Sequence, residues 1–279
     1  MSELAAQPVT KLGDRALRYA EEFGAFALLA LAALRALGRP RFPWRESILQ
    51  FEALAVRSAP LVVVTSMFTG MVLALQTAYS LTRFGAKPYV GSIVGLAIVR
   101  ELGPVLAALM VGGRAGAGIA SELGSMQVTE QVDAIRAMGA DPVQKLVLPR
   151  VLATTLGLPL LTIFAISVGI VGGMLVAEAH YGIASGFYLQ TVSHVVRVSD
   201  FVSGVAKTFV FGWAIGMVGC YVGLATEGGT VGVGRATTRA VVIASIVVLV
   251  ADFFLTKLLM LLPTERLVGA VVRLLGGGA

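Results

Sequence analysis

Apolar residues along this chain fall in long blocks without helical or strand periodicity, and charges gather where the blocks end. Crossing the hydrocarbon of a bilayer takes about 20 helical residues, because only a backbone that satisfies its own hydrogen bonds survives away from water. Positions 58–82, between Arg57 and Arg83, hold 25 residues without a charge, and positions 151–177, between Arg150 and Glu178, hold 27. Positions 208–226 add 19 uncharged residues, and 240–263 add 24 interrupted only by Asp252 and Lys257. The segment 88–121 is harder: 12 uncharged residues precede Arg100-Glu101 and another 12 follow before Arg114. It reads as one long helix with an ion pair at membrane depth, and the total is five spans.

The block at 23–34 is only 12 residues long and is followed by Arg35, Arg39, Arg41 and Arg45, with Trp44 at its polar edge. Too short to cross, it is predicted to lie in the interface as an amphipathic elbow. The fold class is therefore an all-α integral membrane protein. An N-terminal cytoplasmic and interfacial segment occupies 1–57, a five-span domain occupies 58–263, and a short outward-facing tail with a glycine-rich, disordered end occupies 264–279. The positive-inside rule places the N-terminus in the cytoplasm, since the inner segments then hold 13 Lys and Arg and the outer ones 6.

Composition agrees. Hydrophobic residues make up 57% of the chain and charged residues 14%, against about a quarter charged in soluble domains. The 33 glycines sit inside apolar runs, where small residues let membrane helices approach. Recurrence every fourth residue at Gly112, Gly116 and Ala120, and again at Gly169 and Gly173, marks packing faces. A net charge of +6 is spread over segment ends and does not point to nucleic acid. The single Cys220 excludes a disulfide framework, and no cleavable signal peptide is expected, because Asp14, Glu21 and Glu22 precede the first apolar block.

Catalytic patterns are missing. His180 and His194 have no cysteine or carboxylate at metal-ligand spacing. The string GTVGVGR (229–235) lacks the lysine and hydroxyl residue of a phosphate loop, and no GxSxG elbow occurs. What remains is Arg100 and Glu101 at membrane depth. Each must face a cavity or a partner there, such as Asp252 or Lys257 of the last span. Gly103-Pro104 predicts a local break in that helix. Between the second and third spans, Thr129 is a plausible N-cap and Ala134, Ile135 and Met138 form an apolar stripe. Gly139 offers a C-cap and Pro142 ends the short amphipathic helix. Such an element packs on its own bundle or inserts into a groove of another protein.

The strings GMVLALQ (70–76), RELGPVLAALMVGGRAGAGIASELGSM (100–126), TEQVDAIRAMGADP (129–142), LPR (148–150) and GRATTRAVV (234–242) together resemble the MlaE family. These are permease subunits of bacterial ABC transporters that move phospholipids and related hydrophobic molecules with MCE-domain proteins. The resemblance implies a homodimer in the bacterial inner membrane, docked on a cytoplasmic ABC ATPase dimer and capped by a periplasmic MCE-domain hexamer, with a STAS-domain protein as a further partner. It implies a phospholipid substrate and no cofactor on this chain, ATP and magnesium being held by the ATPase. Met71, Leu75, Tyr79, Arg100 and Glu101 become lipid-cavity candidates. Glu130, Asp133, Ala134, Met138 and Gly139 become the element that couples to the ATPase, loosely echoing the EAA loop of ABC importers. The implied mechanism is alternating access driven by nucleotide. An ion-coupled transporter or channel, motivated by the charges at membrane depth, is the alternative, and a structural scaffold is a third reading.

Overall fold

The computed structural model describes residues 2–38 and 43–261. The elements are α1 (Ser2–Leu37), α2 (Trp44–Leu54), α3 (Ala59–Thr82), α4 (Val90–Ala97), α5 (Gly103–Val111), α6 (Ala117–Val128), α7 (Gln131–Ala137), α8 (Leu148–Tyr181), α9 (Ser185–Val195), α10 (Val198–Leu224) and α11 (Gly229–Leu261). Five stretches are long and apolar enough to cross a membrane: Trp44–Thr82, Lys87–Val128, Val143–Tyr181, Val198–Leu224 and Gly229–Leu261. All five expected blocks are present, and most helices overshoot them. Charged flanks such as Glu122 and Lys207 are good helix formers, so the helix runs on past the uncharged block. The expected end of the last span at 263 and the whole tail 264–279 lie outside the described residues, as do Arg39 and Arg41.

The N-terminal element differs in size from the expected elbow. Block 23–34 is the second half of a 36-residue helix, α1. Ala33 and Ala36 are buried against the bundle, while Phe23, Leu28 and Leu34 stay exposed. Phe26 meets Tyr221 edge-on at 5.6 Å between ring centres, and Glu22 pairs with Arg239 at 2.8 Å. One face of α1 is thus fastened to α10 and α11, and its other apolar face is free to rest in an interface.

Helix α3 packs against α8 through Val62, Ser66, Gly70, Ala74 and Ala78, a buried stripe repeating every fourth residue. The fit is backbone to backbone: a Cβ at Gly70 would run into the Gly169 carbonyl, and one at Gly172 would meet the Met67 carbonyl. Without a hydrophobic drive in lipid, this proximity is what holds the pair. Gly70→Ala is therefore expected to push the two helices apart and destabilise the bundle by about 1–3 kcal/mol, the usual penalty of overpacking. Thermal unfolding in detergent should show a lowered midpoint, with Ser80→Ala on the exposed face as the neutral control.

Hydroxyls inside the spans close on their own helices. Thr65 donates to the Leu61 carbonyl at 2.8 Å, and Thr162 to Leu158 at 2.9 Å. The short helix α9, which hydropathy did not suggest, wedges between spans. Tyr188 is fully buried there beside Gly91 and Gly173, and burial pushes its phenol well above the ordinary value.

Candidate functional site: a charged cluster beside an apolar groove

The second span is one continuous helical rod, yet it is interrupted by π-helical turns at Ile98–Leu102 and Gly112–Gly116. The first turn answers the local break expected from Gly103-Pro104. In an α-helix the Pro104 ring would collide with the carbonyl of Arg100, and that carbonyl would lack its donor. Widening the turn lets the Gly103 N–H reach the Ile98 carbonyl instead, and one extra residue is accommodated in the helix. Two adjacent charges project from this turn.

The pairing expected between Arg100 and Glu101 is not made; each reaches a separate partner on another helix. The Arg100 guanidinium donates to Asp200 Oδ1 from Nε at 2.9 Å and from Nη2 at 2.8 Å. Asp200 is held by the start of α10, its Oδ2 accepting the Arg197 N–H at 3.1 Å. Glu101 Oε2 accepts from Lys207 Nζ at 2.8 Å. Lys207 also donates to Asp252 Oδ1 and to Thr256 Oγ1, each at 2.9 Å. An ammonium has three protons, and here all three are used. Its side chain is 3% exposed, a burial that only such saturation makes tolerable.

Of the two partners expected for the pair, Asp252 joins the cluster through Lys207, whereas Lys257 lines the neighbouring groove. Arg100 lies 10 residues beyond Val90, the first residue of α4, Lys207 nine residues into α10 from Val198, and Asp252 nine residues before the end of α11 at Leu261. At 1.5 Å per residue all three sit about 14–15 Å from the same end of the bundle. Asp200 lies only two residues into α10, about 3 Å from that end, so the cluster of two cations and three carboxylates runs from this end of the spans inward.

A cavity of about 170 Å³ opens over the cluster, bounded by Arg100, Glu101, Asp200, Ser203 and Lys207 with Thr256 and Met260. Glu101, Thr256 and Met260 also border a second cavity of about 480 Å³, whose remaining wall is largely apolar, with Leu249, Phe253 and Leu261. Polar and apolar compartments thus share a wall, an arrangement that fits a molecule with a polar head and a hydrocarbon tail.

The α3 candidates lie elsewhere. Leu75 is 41% and Tyr79 60% exposed, while Met71 is half-buried at the margin of that face. Tyr79 accepts from Arg83 Nη2 at 2.9 Å, with the guanidinium 5.1 Å from its ring centre. None of the three lines the cavities around Arg100 and Glu101. A further cavity of about 360 Å³ joins the same exposed face of α3, at Phe68, Val72 and Gln76, to Leu102 in the π turn. Sequence reading missed Asp200, Lys207 and Thr256. Lys207 directly precedes the uncharged block 208–226, and counting it as a loop residue hid its depth.

The loop helix α7 is present, with different ends. Thr129 does not cap it: its hydroxyl bonds back to the Ser125 carbonyl at 2.8 Å. Glu130 takes the cap position at φ 60°, a left-handed backbone that costs a non-glycine residue about 1 kcal/mol or more. Gly139 follows the helix at φ 76°, its N–H bonding the Arg136 carbonyl while the Ala140 N–H reaches Ile135, as a glycine stop should. The expected stripe of Ala134, Ile135 and Met138 is divided. Val132 is fully buried and Ile135 packs on the core, whereas Ala134 is exposed and Met138 is 73% exposed. With two turns only, positions three apart serve as anchors, and Glu130, Asp133, Ala134 and Met138 remain on the surface. Asp133 pairs with Arg136 at 2.8 Å along it.

Comparison with known proteins accords with this architecture. Residues 47–258 match the family model for permease MlaE. A probable ABC transporter permease protein of Rickettsia felis is 40% identical over 247 residues, covering 88% of this chain and 95% of that protein. The intermembrane phospholipid transport system permease protein MlaE of Haemophilus influenzae is 34% identical over 254 residues, covering 90% and 97%. The chloroplastic protein TRIGALACTOSYLDIACYLGLYCEROL 1 of Arabidopsis thaliana is 39% identical over 214 residues, covering 77% and 61%. This chain belongs to the MlaE family of ABC transporter permeases.

Proposed function

We propose that this chain is the phospholipid-conducting, non-catalytic subunit of an ATP-driven transporter, two copies of it sitting in a bacterial inner membrane with the N-terminus and α7 in the cytoplasm. The observation that carries the lipid reading is the charged cavity sharing a wall with an apolar one between the spans. The name of the Haemophilus influenzae relative supports the same substrate class. Headgroup contacts fall to Arg100 and Glu101 and acyl contacts to the adjoining groove at Leu249 and Phe253, and the exposed apolar face of α3 that includes Leu75 and Tyr79, with Met71 at its edge, extends the acyl path.

In this reading α7 is the coupling element. Its buried Val132 fixes it to the bundle, and Glu130, Asp133, Ala134 and Met138 enter a groove on the ATPase, with Gly139 ending the helix. A cytoplasmic ATPase dimer holds ATP and magnesium. A periplasmic MCE-domain hexamer receives or delivers lipid at the opposite end, and a STAS-domain protein completes the cytoplasmic side. Closure of the ATPases displaces α7, and the spans around the cluster then change the access of the lipid cavity.

The test is purification of the tagged chain with its native partners, followed by lipid transfer in proteoliposomes. An ABC ATPase should co-purify, and ATP should drive transfer. Met138→Asp, which sets a charge in the docking contact, is expected to cut ATP turnover roughly tenfold, a loss typical of one anchor at an interface. Transfer that runs on a proton or sodium gradient without an ATPase would overturn the proposal in favour of an ion-coupled transporter, the reading suggested by charges at membrane depth.

A further inference from the structure

A second ion pair, buried at its arginine end, lies far from the charged cluster, at the base of the loop that carries α7. Arg150, the third residue of α8, is 4% exposed. Its Nη2 stands 2.8 Å from Glu122 Oε1 on α6, and its Nη1 donates to the Leu146 carbonyl at 2.7 Å. The Glu122 side chain is 52% exposed, so one end of the pair is sealed and the other is wet. All of 123–149, with α7 in its middle, hangs between these two residues. The chain leaving α7 is fully packed at Val147 and Leu148, and α1 rests on the turn Val143–Val147.

We infer that Arg150 and Glu122 are positioning residues that clamp the two stalks of the α7 loop, so that displacement of α7 moves the ends of the second and third spans together. The inference rests on the reading of α7 as the coupling element. Burying an arginine is expensive, and an apolar pair would hold two helices at least as well. What a guanidinium adds is direction, since its fixed fork meets a carboxylate only in a narrow set of arrangements. The Leu146 carbonyl bond ties the same guanidinium to its own stalk, which leaves α6 and α8 one mutual register at this level. Without the pair, α7 still docks through its exposed residues, but its motion is taken up by the loop.

The experiment compares Glu122→Gln, Glu122→Asp and the exchange Glu122→Arg with Arg150→Glu, each in the complete complex with its ATPase in proteoliposomes. The quantity read is lipid transferred per ATP hydrolysed, together with ATPase co-purification and the thermal midpoint. Glu122→Gln keeps the shape and an acceptor on the half-exposed partner, so the bundle should fold and retain its ATPase. Its transfer per ATP should drop about tenfold, within the range by which mutations alter coupling between sites, whereas Glu122→Asp should keep most of it. Partial recovery in the exchanged pair would support the clamp. An unchanged transfer-to-ATP ratio in Glu122→Gln would overturn it, as would transfer and hydrolysis falling in parallel with a lost ATPase or a lowered midpoint, because the pair would then only hold the fold. Failure of the unsubstituted chain to retain an ATPase would refute the underlying reading of α7 instead.

Discussion

Lys207→Gln is expected to stop lipid transfer and to destabilise the bundle by about 3 kcal/mol, the lower end of the cost of removing one partner of a buried pair. The ammonium uses all three protons on Glu101, Asp252 and Thr256, so its loss leaves two carboxylates facing one cavity with no cation between them. Glu101 is 40% exposed and recovers some water, which places the effect at the low end. Lys207→Arg should fall between, since a planar fork cannot direct three donors to the corners an ammonium reaches. Removing every charge together, with Lys207→Met, Glu101→Gln and Asp252→Asn, separates the two consequences. The triple variant should regain stability and still fail to transport, because the cavity has lost its polar wall. Thermal unfolding in detergent and transfer between labelled vesicles measure both; a Lys207→Gln chain that unfolds like the parent and transports fully would remove the cluster from the mechanism.

The second large effect is expected at Leu75. It lies on the exposed face of α3 with Val72 and Tyr79, and Leu75→Arg sets a cation there at a cost of about 2.5–3.5 kcal/mol on insertion scales. The four other spans and the α3–α8 contact are untouched, so the chain should still insert and assemble. Acyl chains would now meet a charge, and transfer should fall roughly tenfold or more. Leu75→Ala, which leaves the face apolar, should retain most activity. A scaffold with no lipid path through α3 predicts full activity of the complex bearing Leu75→Arg, and that outcome would remove α3 from the path.

Much of the architecture is legible in the order of residues alone. Three spans follow from uncharged run length and two more from apolar runs interrupted by charges, and Gly139 and Pro142 mark the end of α7 through backbone constraints that act within a few residues. Gly103-Pro104 announces a disturbance at Arg100, although not its π-helical form. Expectation and structure part where a residue's role depends on something distant. Thr129 has the chemistry of a cap, but its hydroxyl finds the Ser125 carbonyl because α6 continues to Val128. Met138 fits an apolar stripe by spacing, but the anchor is Val132 because the core reaches only one side of so short a helix. Lys207 resembles a loop residue because hydropathy scores it as a break, whereas the helix begins at Val198 and carries it inward.

By itself, then, the amino-acid sequence determined that this protein crosses a membrane five times, that its N-terminal block is too short to add a sixth crossing, and that Arg100 and Glu101 must be compensated. Each of these depends on local run length or on the free energy of one group in hydrocarbon. Only the tertiary structure decided how that compensation is made. Asp200 and Lys207 stand 100 and 106 positions along the chain from their partners, on a helix whose start no uncharged run marks. Their meeting is set by the backbone contacts that bring the spans together and by the π turn that aims two neighbouring charges at them.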